Sequence, residues 1–164
     1  MTFQEFQIKV MSQVFKIADK NEFEATLYML TGDYKRKKSI IPPELFKDPS
    51  DLAKNCKRMN KLAKSIHCCF VSQCNFTKID KESCDELGIN FDTLDMNTLT
   101  DEQAHKLYNI TIEGLVFNFE SLNEEPKVMM FKKDKSGNYI PSIGFGENDA
   151  LEQTSGNFNN LLGK

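Results

Sequence analysis

The chain has no tryptophan, only two arginines against nineteen lysines, and no apolar run approaching the roughly 18 residues that span a bilayer. Each shortage excludes something. Scarce arginine argues against bidentate reading of phosphates or base edges, because the planar guanidinium fork is the group suited to that task. Without a long apolar run there is no transmembrane helix to predict. Met1 to Asp19 holds no apolar core followed by a small-residue cleavage site, so no leader is expected. There is no C-x-x-C pair to frame a zinc site. Among the eight glycines, Gly144 and Gly146 come closest to a phosphate cradle, and neither a lysine nor a capped helix follows them. A calcium loop also fails. Asp92 and Asp95 lack the one-three-five alternation, and counting from Asp95 puts Lys106 where a bidentate glutamate is required.

What remains is an ordinary globular composition, 40% apolar and 27% charged over 164 residues. That length fits one domain and can bury a core without disulfides or metals. Thirteen phenylalanines make Phe, with Leu, Ile and Met, the source of core volume. The five cysteines, Cys56, Cys68, Cys69, Cys74 and Cys84, are odd in number and crowd one third of the chain. They read as reduced thiols, and a cytoplasmic location is expected.

The net charge of −3 is mild, but its distribution is uneven. Residues 33–64 carry ten basic against four acidic side chains, and residues 65–125 carry three against twelve. Either the two segments neutralise each other on the folded surface, or the surface is polarised toward a charged partner.

Thr2 with Glu5 is a capping box, and Phe6, Val10, Val14 and Ile17 then share one face, which predicts a helix over 3–18. Asn21 and Glu24 start a second helical pattern through Phe23, Leu27 and Leu30 to a stop at Gly32. A strand over Ala25 to Leu30 competes with it. Asp33 to Pro49 reads as a connector, with Pro42-Pro43 forcing an extended path and a short turn at Glu44 to Phe46. Ser50 is the expected cap of the next helix. In it Leu52, Cys56, Met59, Ala63, Ile66 and Phe70 form a narrow apolar stripe. The stripe can run on to Cys74, or Ile66 to Val71 is a short buried strand.

Downstream, a short helix begins at Asp80 and stops at Leu87, with Gly88 in the left-handed position and Ile89 making the accompanying apolar contact. Thr100 with Gln103 caps another helix through Ala104, Leu107 and Tyr108. Gly114 to Phe119, Lys127 to Lys133 and Tyr139 to Phe145 read as three strands of an antiparallel meander. Gly137 allows the second turn, and Pro141 marks an edge or bulge. The expected architecture is α+β, with N-terminal and central helices packed on a small C-terminal meander. Residues 1–145 form the single domain. Residues 146–164 are a flexible polar tail or a short docked helix, with Phe158, Leu161 and Leu162 as anchors.

The candidate contact surface is cationic. Lys54, Lys57, Arg58, Lys61 and Lys64 fall opposite the apolar stripe, and the loop Lys35, Arg36, Lys37, Lys38 is placed to extend that patch. It attracts polyanions, or it is a solvated face built from good helix formers. Catalytic readings are weaker. His67, Cys68, Cys69 and Cys74 crowd together, but Cys68 and Cys69 cannot both face one tetrahedral site in regular structure. Cys84 opens a short helix, but Asp80, Glu82, Asp85 and Glu86 oppose a thiolate there, and His105 is a distant base. Asp92, Asp95, Asp101 and Glu102 are acids without evident positioning. The expected function is therefore a non-catalytic protein–protein interaction or regulatory module with no metal or cofactor and no membrane. Nucleic-acid binding through the basic helix is the alternative, and a small enzyme the second.

Overall fold

Thr2 and Glu5 close the first turn of α1 (Phe3–Ala18) reciprocally: the Glu5 amide donates to Thr2 Oγ1 (3.1 Å) and the Thr2 amide to Glu5 Oε2 (2.7 Å). A computed structural model describes the chain over residues 1–20, 23–46, 48–77, 81–95, 97–108, 111–142 and 160–163. After α1 come β1 (Thr26–Thr31), β2 (Arg36–Ile40), a 3-10 turn at Pro43–Phe46, α2 (Pro49–Ala63), β3 (Ser65–Thr77), α3 (Lys81–Glu86), α4 (Asp101–Tyr108), β4 (Thr111–Ser121), β5 (Lys127–Lys133) and β6 (Tyr139–Pro141). The architecture is α+β. Among the described residues six strands form one antiparallel sheet in the order β2-β1-β3-β4-β5-β6.

The meander expected at the C-terminus is thus half of a larger sheet. The helix expected after Asn21 is β1. All six of its residues are buried, because it lies inside the sheet with a layer on each face. Tyr28 and Leu30 point toward α1, while Leu27 and Met29 point toward α2. A strand covered on both faces loses its period-two alternation, and its apolar run then fits helical spacing equally well. The expected connector contains the exposed strand β2. The stripe of α2 ends where Lys64 turns left-handed (φ 52°), and Ile66 and Phe70 belong to β3.

Two cores flank the sheet. On one face, Phe3, Phe6, Val10 and Val14 of α1 meet Cys69, Val71, Leu115, Phe117 and Phe119. On the other, Leu52 and Cys56 of α2 meet Leu27, Met29, Cys68, Phe70 and the buried Leu161. A third small cluster joins Cys84, Ile89 and Leu107 around α3 and α4. There Gly88 is left-handed (φ 68°), and the Ile89 amide donates to the Cys84 carbonyl (2.8 Å), as a glycine-terminated helix requires. Residues 146–159 of the expected tail lie outside the described residues. Residues 160–163 are described, and they dock with Leu161 fully buried.

Candidate cationic interface

The run Lys35 to Lys38 is built by the β1–β2 hairpin. Thr31 shapes its turn: the hydroxyl donates to an Asp33 carboxylate oxygen and accepts from the Lys35 amide (3.1 Å), and Tyr34 takes a left-handed φ of 61°. Lys35 Nζ lies 2.8 Å from Asp33. The Lys35 ammonium, then the Thr31 hydroxyl, hold the Asp33 carboxyl down to about 2, and Asp33 raises Lys35 in turn. The charge of Lys35 is therefore offset locally, and Arg36, Lys37 and Lys38 carry the strand's net charge. Among the described residues none of these three has a carboxylate within ion-pair distance.

Register divides the run between the two faces of the sheet. Arg36 pairs with Leu30 and Lys38 with Tyr28, both on the α1 side, whereas Lys37 pairs with Met29 on the α2 side. A groove of about 590 Å³ lies between α1 and the edge strand; Phe6, Val10 and Tyr28 are among its apolar lining, and Lys9, Lys35, Arg36, Lys37 and Lys38 all border it. Burial, then the neighbouring Cys69, pushes the Tyr28 hydroxyl up to about 12, so it stays neutral. Lys9 and Tyr28 were not legible as site residues. Lys9 is an ordinary solvent-face position of α1, and only the fold brings the edge strand beside it.

The α2 cations occupy the other side. Lys54, Arg58, Lys61 and Lys64 are exposed and Lys57 is half-buried, above the stripe Leu52, Cys56, Met59 and Ala63 that covers the sheet. The structure does not merge the two sets into the single patch expected. By register Arg36 and Lys38 lie on the face opposite α2 and Lys37 on its side. The cap of α2 also differs. Asp48 receives the Ser50 amide (2.9 Å) with Pro49 at the first helical position, so Ser50 is inside the helix.

The catalytic candidates separate by burial. Cys68 and Cys69 point to opposite faces, with Cys69 against α1 and Cys68 against α2. Cys84 is fully buried, whereas Asp92, Asp95 and His105 are exposed. Asp95 accepts the Asn97 amide (2.9 Å), a turn-stabilising role. Among the described residues no three His, Cys, Asp or Glu side chains cluster closely enough to hold a metal ion, and no helix is long and apolar enough to cross a membrane. Comparison of the chain with protein-family models, with curated proteins and with solved structures finds no match, so the functional reading rests on the chemistry of the surface itself.

Proposed function

We propose that the protein is a cytoplasmic, non-catalytic binding and regulatory module whose cationic edge takes an acidic, extended segment of another protein. The observation that carries this reading is β2. It pairs with β1 alone among the described residues, four of its five residues are exposed, and it presents Arg36, Lys37 and Lys38. An edge strand offers backbone amides and carbonyls to an added strand. Lysines on that edge disfavour neutral or basic strands, so a carboxylate-bearing strand is selected. Its side chains would meet Arg36, Lys38 and Lys9 on one face and Lys37 on the other. The exposed cations of α2 add to the long-range field that steers such a partner.

Nucleic acid is the competing ligand, and one observation favours it: Tyr34 is 63% exposed at the hairpin tip beside the cations, where a base could stack. Fluorescence anisotropy with a glutamate-rich peptide and a single-stranded oligonucleotide of equal charge separates the two. The expected result is peptide binding that weakens with salt, is lost in Arg36→Glu/Lys38→Glu and survives in Lys57→Glu/Lys61→Glu. Preference for the oligonucleotide, with loss on changing the α2 lysines, would transfer the function to the basic helix. Binding of neither ligand would leave these cations as a solvated surface and refute the proposal.

A further inference from the structure

Glu120 is a carboxylate near the C-terminal end of β4, 5% exposed, on the α2 side of the sheet opposite Cys68. It accepts two consecutive backbone amides from the C-terminal segment, those of Leu161 (2.7 Å) and Leu162 (3.1 Å). Asn60 of α2, 2% exposed, donates from Nδ2 to the Leu161 carbonyl (3.0 Å). The Leu161 side chain fills the apolar space between α2 and the sheet with no exposure. Left-handed backbone at Asn160 (φ 61°) and Gly163 (φ 70°) frames this short docked stretch.

We propose that the hollow between α2 and β4 is a peptide-recognition site for a leucine-bearing segment of a partner protein, with residues 160–163 as its resident intramolecular ligand. Three features make it a recognition site. Its polar groups bind the backbone of the occupant, and the apolar space that takes Leu161, with Leu162 packed against it, supplies the selection, which is how extended protein segments are commonly read. Its carboxylate is withdrawn from water, so an occupant must offer N–H donors or leave a buried charge without compensation. The resident ligand also does not exhaust the site. Asn60 Oδ1 is buried without a hydrogen-bond partner, so a segment that supplies one more donor than the chain's own tail is the better ligand. This site is independent of the cationic edge.

The test uses the full chain carrying Leu161→Ala/Leu162→Ala, which keeps the tail but removes its anchors. The probe is a fluorescein-labelled synthetic peptide with the sequence of residues 157–164. We expect the folded variant to bind it about tenfold more tightly than the wild type, whose site is already filled. Binding should vanish when both leucines of the peptide are alanine, and weaken when Glu120→Gln is added. A folded variant that ignores the peptide overturns the proposal. If the variant does not fold, hydrogen exchange on the wild type decides. Leu161 and Leu162 amides exchanging about a hundredfold faster than those of Val116 to Phe119 show a separable ligand. Exchange at the same rate as β4 shows a fixed part of the core and overturns the proposal.

Discussion

His67 on β3 lies against Phe3 of α1, with ring centroids 5.1 Å apart, and its Nδ1 is buried without a hydrogen-bond partner. Burial lowers its pKa, outweighing the opposing pull of the Ile66 and Met1 backbone groups and the Glu124 carboxylate. The folded state therefore holds the imidazole neutral, and the unfolded chain takes up the proton first. The contribution of this site is fully present above the ordinary histidine pKa of about 6.5 and is lost as pH falls from there through the folded value. His67→Phe removes the titration and the orphaned nitrogen together. Urea denaturation of both proteins between pH 7.5 and 5 should show the variant gaining on the wild type as pH falls. A stability difference that stays constant across that range would contradict the assignment.

Phe117 is the aromatic centre of the α1-side core. It stacks on Phe119 (5.8 Å, 8°) and meets Phe131 (5.6 Å) and Phe15 (5.7 Å) edge-on. Phe117→Ala leaves a cavity walled by rings on separate elements that cannot all collapse into it, and should cost about 3–5 kcal/mol. Leu62 on α2 is 77% exposed, so Leu62→Ala should stay within about 0.5 kcal/mol of wild type. Equal effects in denaturant titrations would mean that the assigned core is not the one that stabilises the fold.

The start of α2 offers a sharper discrimination, because the sequence supplies two candidate caps two residues apart. Asp48 accepts the Ser50 amide and Pro49 occupies the first helical position. Asp48→Ala should therefore lose about 1 kcal/mol, and Ser50→Ala close to nothing. The opposite ranking would restore Ser50 as the cap.

These cases show what the residues reveal before folding. Capping boxes are local, so Thr2 with Glu5 and Thr100 with Gln103 could be read directly and recur in the structure. The α2 stripe was equally clear, since one face of a helix meets one apolar layer. β1 was obscured because both its faces are buried. β2 was obscured for the opposite reason: a strand of cations at a sheet edge shows no apolar alternation at all. The charge of the candidate interface was thus visible while its shape was not, because the neighbour of Arg36 and Lys38 in space is Lys9, on another element. The contacts of Leu161 with Glu120 and Asn60 span 41 and 101 positions of sequence, beyond any local pattern. Leu161 and Leu162 stand out as anchors of a polar segment, but nothing in the sequence names Glu120 or Asn60 as their partners.

The cysteines read as reduced thiols that serve packing rather than chemistry, and their burial gives that reading a measurable form. Cys56, Cys68, Cys69 and Cys84 are buried, and Cys74 is partly exposed. Burial pushes Cys56 up to about 12 and Cys74 up to about 11. A thiol at about 11 is thiolate in only about one molecule in a thousand at pH 8, roughly two-hundredfold fewer than an ordinary surface cysteine. The native protein should therefore react slowly with a disulfide reagent at that pH. Cys74 should be modified first because the reagent can reach it, and the four buried thiols only as the chain opens. Denaturant should release all five at once. A single native cysteine that reacts as fast as free thiol would mark a cationic or helix-terminal environment around it, and would reopen the case for nucleophilic chemistry at that residue.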